Sequence, residues 1–71
     1  MKRYAVIYEQ TSNGTWSAYV PDLPGCIATA KTRVGIRRVI KSAIAFHIEG
    51  LRRNGLPIPE PTTDAGLVSI A

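Results

Sequence analysis

Tyr4-Ala5-Val6-Ile7-Tyr8, then Thr11-Ser12-Asn13-Gly14, then Thr15-Trp16-Ser17-Ala18-Tyr19-Val20 is the stretch that decides the fold. Its two outer segments are rich in β-branched and aromatic residues, which suit a pleated, half-buried surface, and they predict strands over 4–8 and 15–20. The Asn13-Gly14 pair between them tolerates positive φ, as a tight turn joining antiparallel neighbours requires. Together they predict a β-hairpin. Outward from it, Pro21-Asp22-Leu23-Pro24-Gly25 carries two prolines that cannot donate to a ladder and a glycine that permits a sharp change of direction. Asn13, Gly14, Pro24 and Gly25 are thus the structural turn residues. Cys26 to Ala30 is a short apolar run that adds a third strand, so residues 1–30 form a β-meander.

Beyond Lys31 the period changes. Ile36, Val39, Ile40, Ala43, Ile44, His47 and Leu51 recur at spacings of three and four, predicting a helix from Arg33 to Asn54 of about six turns, roughly 33 Å. Arg38, Lys41, Ser42, Glu49, Arg52 and Arg53 fall on its other side. Thr32 is suited to the N-cap, and Asn54-Gly55 to the stop, since both residues accept the left-handed conformation that closes a helix. The helical region is 32–55. In Leu56-Pro57-Ile58-Pro59-Glu60-Pro61 each proline biases its predecessor to extended backbone, which makes a strap, and Leu67 to Ile70 is β-prone enough to form a last strand within 56–71. The expected order is strand, strand, strand, helix, strand in one α+β domain spanning 1–71.

A single helix covers one face of such a sheet. Tyr4, Val6 and Tyr8 alternate with Ala5 and Ile7, and Trp16, Ala18 and Val20 alternate with Ser17 and Tyr19, so neither face is polar enough for open water. The uncovered face, or the edge of the last strand, is therefore expected to meet a second copy or another protein. Size argues the same way. At 71 residues, 45% apolar and 20% charged, the chain is one small domain, and a domain of this size buries only about 60% of its unfolded surface. One cysteine, Cys26, excludes an internal disulfide, and with one histidine, His47, it cannot build a structural zinc site. Packing and self-association remain. No apolar run reaches membrane-spanning length, and Met1-Lys2-Arg3-Tyr4 leads into a strand pattern rather than a signal peptide, so the expected location is the cytoplasm.

Little here suggests catalysis. Glu9, Asp22, Glu49, Glu60 and Asp64 are scattered and read as solvated surface groups, not as a pair converging on one site. His47 lies on the apolar stripe and reads as a packed imidazole with one nitrogen hydrogen-bonded, and Cys26, with no base nearby in sequence, as a small buried hydrophobe. Asn13-Gly14 and Pro24-Gly25 are isolated turn glycines, not a phosphate loop. No catalytic residue, cofactor or metal is expected. The charge is more informative. Of nine Lys and Arg, giving a net charge of +4, Arg33, Arg37, Arg38, Lys41, Arg52 and Arg53 lie on the helix against one acid, Glu49. Arg33 and Arg37 sit in its first turns, where the dipole disfavours cations by about 0.3 to 1 kcal/mol each, and a bound anion or acidic partner would relieve them. Arg33, Arg37 and Arg38, with Trp16 and Tyr19 on the hairpin, are the candidate partner or anion contacts. The bland alternative is a solubilising face, screened within about 8 Å at physiological salt. The sequence has neither a helix-turn-helix pair nor an aromatic stacking platform beside basic strands.

With Val20-Pro21-Asp22-Leu23-Pro24-Gly25-Cys26, the opening Tyr4 to Tyr8, the Gly14 turn, Ala45-Phe46-His47-Ile48-Glu49-Gly50-Leu51 and Gly55-Leu56-Pro57-Ile58-Pro59-Glu60-Pro61 in this order, nearly the whole chain resembles the HicB-like antitoxin family. The resemblance implies a truncated RNase H-like fold of three antiparallel strands, a helix and a last strand, assembled as dimers or higher oligomers. It also implies a non-enzymatic role: covering the active surface of a small RNA-cleaving toxin of the HicA kind. Two departures bear on this. The helix start Ala30-Lys31-Thr32-Arg33-Val34-Gly35-Ile36-Arg37 is basic where the family usually has Gly-Asp-Thr followed by Glu, which reverses the sign of a surface that would meet a basic toxin. The chain also stops soon after Pro61, short of the DNA-binding module that many antitoxins append, so direct DNA binding is not expected of it. The competing readings are a nucleic-acid-binding module, directed at RNA through the helix cations, and an orphan oligomeric domain with no toxin partner.

Overall fold

The computed structural model describes residues 2–71. Three antiparallel strands, β1 (Ile7–Gln10), β2 (Trp16–Tyr19) and β3 (Ile27–Ala30), form a sheet in the order β1-β2-β3, and one helix, α1 (Arg33–Arg53), follows. The fold class is the α+β arrangement the sequence predicts. Register runs Ile7 to Tyr19 to Ile27 along one row and Glu9 to Ser17 to Thr29 along another on one face. The alternate rows, Tyr8 to Ala18 to Ala28 and Gln10 to Trp16 to Ala30, point to the other face. The helix backbone packs over β3 and β2 and stands away from β1.

The first strand starts three residues later and ends two residues later than the 4–8 expected. Tyr19 is the last β2 residue opposite β1, and the chain beyond it turns at Val20-Pro21, where Val20 instead donates its N–H to Cys26 O at 3.2 Å. Tyr4 to Val6 therefore have no ladder partner. At the other end the hairpin loop closes with Thr11 N–H on Thr15 O at 2.8 Å and Gly14 N–H on Thr11 O at 3.0 Å. Left-handed backbone falls on Gly14, Gly25 and Gly55 (φ 90°, 86° and 66°) and on no other kind of residue among those described. Asn13 and Asn54 thus do not share that role. Asn13 works through its side chain, whose Oδ1 accepts from Thr15 N–H at 3.3 Å and Thr15 Oγ1 at 2.9 Å as well as from Thr11 Oγ1.

The core is Ala18, Val20, Leu23, Cys26, Ile36 and Ile40, with Tyr4, Val6, Tyr8, Trp16, Ala28, Ala30, Ala43, Ile44 and Ile48 packed around it. Leu23 is fully buried, although it sits in the Pro-Gly loop. Leu23 N–H on Val20 O and Cys26 N–H on Leu23 O, both 3.0 Å, wrap the loop so that this side chain plugs the space between β2 and α1. Two helix positions differ from the expected stripe. Val39 is 42% exposed and belongs with Phe46 on the outer face, while Ile48 joins the core. Thr32 caps the helix as predicted, its Oγ1 accepting Gly35 N–H at 2.9 Å, and a Cβ at position 35 would lie 2.9 Å from that same oxygen. Glycine at the third helical position leaves room for the cap.

The predicted C-terminal strand is absent: Leu67 to Ile70 form no ladder, and Leu67, Val68 and Ile70 are 103%, 84% and 89% exposed. The strap accounts for this. Lys2 Nζ meets Glu60 Oε1 at 2.6 Å, Tyr4 Oη donates to Pro59 O at 2.6 Å, and Asp22 holds Thr62 and Thr63. Pinned there, the chain leaves the sheet. β-propensity without a partner strand forms no strand.

Candidate interaction surfaces

The five residues singled out as partner or anion contacts do not form one surface. Trp16 lies on the helix-facing side of β2 and Tyr19 on the opposite side. Arg33 is folded inward: its guanidinium lies 3.8 Å from the centre of the Tyr8 ring and 5.7 Å from that of Trp16, within cation–π range of both. The helix has no acid in its first turn, so the rings supply the negative potential that an acid otherwise would. Sequence spacing hid this contact because Tyr8 and Trp16 come from two strands. Arg37 and Arg38 are exposed. Arg33, Arg37 and Lys41 fall on one helical ridge at spacings of four. Among the described residues the ion pairs are Lys2–Glu60 and Arg53–Glu49, so Arg37, Arg38, Lys41 and Arg52 have no acidic partner there.

The sheet face turned away from the helix is divided. Its Ile7-Tyr19-Ile27 row is apolar, with Tyr19 41% and Ile27 70% exposed, while the Glu9-Ser17-Thr29 row nearer the hairpin is polar. In-register rows bring side chains within about 5.5 Å of one another, so the three apolar groups make one continuous strip. Nothing in the described chain covers it.

A third feature lies at the strap. Asp22 Oδ2 accepts the N–H groups of Thr62 and Thr63 at 3.0 and 2.8 Å, and Oδ1 accepts their hydroxyls at 3.1 and 2.8 Å. These bonds, those from Thr63 foremost, hold the Asp22 carboxyl below its ordinary pKa. Its partners lie some 40 positions away, so the sequence alone presents Asp22 as a solvated surface acid, and the structure shows it bonded. Beside the strap, a groove of about 620 Å³ is lined by Lys2, Tyr4, Ile44, Ile48, Arg52 and Ile58.

The remaining titratable groups do not converge. Burial pushes the Cys26 thiol up, away from the thiolate a nucleophile needs. His47 is half-buried, and none of the side-chain hydrogen bonds among the described residues involves it, in contrast to the bonded imidazole expected. Asp64 accepts the N–H of Ala65, and Glu49 and Glu60 are ion-paired. Among the described residues no three His, Cys, Asp or Glu side chains come together as a metal site, and no helix is long and apolar enough to cross a membrane.

A family model described as the HicB-like antitoxin of bacterial toxin-antitoxin systems matches residues 4–69. UPF0150 protein Ta0767 of Thermoplasma acidophilum is 34% identical over 62 residues, covering 87% of this chain and 90% of that protein. An uncharacterized 14.9 kDa protein from the rep-hol intergenic region of Haemophilus phage HP1 is 33% identical over 57 residues, covering 80% of this chain but 42% of the phage protein.

Proposed function

The chain belongs to the HicB-like antitoxin family, and from that membership we propose that it self-associates and neutralises an RNA-cleaving toxin of the HicA kind by covering the toxin's active surface. It contributes no chemistry of its own. The observation that carries this reading is the Ile7-Tyr19-Ile27 strip, which the helix, packed on the other side of the sheet, leaves open. An apolar strip bounded by a polar row is the composition of a docking surface: the centre contributes by losing water, and the rim fixes register. Tyr19 is the anchor, combining a large apolar ring with a hydroxyl that tolerates either environment.

Co-expression with a toxin encoded beside this gene tests the reading. The native chain restores growth and co-purifies with the toxin, whereas Tyr19→Lys together with Ile27→Lys loses both while keeping its circular dichroism spectrum. Rescue by the double variant equal to that of the native chain would remove the open face from the mechanism.

A second reading, nucleic-acid binding, is favoured by the unpaired Arg37, Arg38, Lys41 and Arg52. It requires affinity for a single-stranded RNA oligonucleotide that falls steeply with salt and with Arg37→Ala and Arg38→Ala. Toxin binding through the apolar strip requires neither.

A further inference from the structure

We propose that Leu67-Val68-Ser69-Ile70 is donated to a second copy of this chain, where it lies as a fourth strand along the free edge of β1, in a reciprocal two-fold exchange. The proposal rests on the self-association proposed above and assigns it to particular residues, which leaves the open sheet face to the toxin.

The donor is a segment that has everything a strand needs except a neighbour. Its three apolar side chains stand in water almost completely, while the strap just before it is fixed by six side-chain hydrogen bonds: four to Asp22, one from Tyr4 and one from Lys2. A tail that were merely unstructured would not need its point of departure fastened so firmly.

The acceptor is β1. It is an edge strand, paired on one side with β2, and its outer N–H and C=O groups have no partner among the described residues. β3 is also an edge, but the body of α1 lies over β3 and β2 and reaches β1 through the Arg33 side chain on Tyr8. Tyr4, Val6 and Tyr8, which pack against the core, stay half-buried, so a strand added beside β1 removes further apolar surface from water. No Lys or Pro guards residues 4–10, the usual protection of an edge left free. The lengths also agree, four strand-prone residues against the four of Ile7–Gln10.

The second copy is the occupant because donor and acceptor belong to one chain. Two copies related by a two-fold axis satisfy both tails and both edges and leave none over, the closed arrangement of exchanged elements. The sheet of each subunit is completed by its partner.

The test uses the full chain. Analytical ultracentrifugation over a micromolar concentration range is expected to show a monomer–dimer equilibrium whose dissociation constant rises by at least about tenfold in Val68→Asp/Ile70→Asp, since a charge placed in a buried strand costs more than the 1.4 kcal/mol that tenfold represents. Both positions are exposed in the isolated chain, so the variant keeps its fold, which circular dichroism verifies. Mixing Val68→Cys chains with Glu9→Cys chains under mild oxidation is expected to give a disulfide joining the two kinds, the native Cys26 being buried. A native chain that stays monomeric overturns both self-association and exchange. A dimer indifferent to the aspartates overturns the exchange alone, as does a Val68→Cys/Glu9→Cys chain that closes its disulfide within a monomer.

Discussion

Replacing Arg33 by Met in a background with and without Tyr8→Leu separates two forces that act on one guanidinium. Arg33 is the first residue of α1, where the dipole penalises a cation by about 0.3 to 1 kcal/mol. It also stands 3.8 Å from the centre of the Tyr8 ring, a contact at an exposed site worth about 0.5 to 1 kcal/mol. The two nearly cancel, so Arg33→Met alone changes stability by less than about 0.5 kcal/mol. The cycle removes the dipole term, which is common to both backgrounds, and leaves a coupling of about 0.5 to 1 kcal/mol between Arg33 and Tyr8. Arg37→Met, one turn on and with no ring beneath it among the described residues, shows no coupling to Tyr8 and stabilises by a few tenths of a kcal/mol. Urea unfolding followed by Trp16 fluorescence measures all of these. Coupling below about 0.2 kcal/mol, inside the usual additivity error, would refute the claim that ring stacking offsets the basic helix start.

Leu23→Ala empties a fully buried site, with an expected loss of about 2 to 5 kcal/mol out of the roughly 4 to 11 available to a chain of this length. A shift in the urea midpoint corresponding to less than about 1 kcal/mol would show that the loop does not plug the core. Because hydrogen bonding lowers the Asp22 pKa, the latch contributes stability above the ordinary carboxylate pKa, and that contribution is lost as pH falls through the lowered value. Acid titration of the Thr62 and Thr63 amide resonances should therefore show the strap releasing below the ordinary range of an aspartate. Asp22→Asn should abolish that step, and an unchanged titration in the variant would assign it to another group.

The helix was legible because its signals are local: Thr32 before the periodic run, Asn54-Gly55 after it, and apolar residues every three or four positions between. The three strands were legible from residue type, but the limits of β1 were not. Those depend on where β2 stops pairing, and Pro21 sets that from the far side of the hairpin. Leu23 carried no sequence signal, since a leucine between two prolines reads as a turn until its loop is seen closing over the core. Asp22 with Thr62 and Thr63, and Arg33 with Tyr8 and Trp16, are meetings between distant segments that no window of sequence contains. Leu67 to Ile70 has strand chemistry, and a single chain does not supply the ladder that chemistry needs.

The same geometry bears on the charge at the helix start. A basic run at the helix start bears on a docking surface only if the partner lies against that run, and the proposed docking strip is on the other side of the sheet. The exposed cations sit on the outer side of a helix about 10 to 12 Å in diameter, with the sheet beyond it, whereas the Debye length in physiological salt is about 8 Å. Their field at Ile7, Tyr19 and Ile27 is therefore largely screened, and the charge closest in register to that strip is Glu9. Arg33, by contrast, is turned towards the sheet and occupied, its guanidinium against two rings. A toxin seated on the open face would thus meet a surface that is apolar and faintly acidic, on a protein whose net charge is +4. On this reasoning the net charge governs how the molecule behaves towards polyanions, the strip governs which protein it covers, and a basic toxin surface is compatible with both.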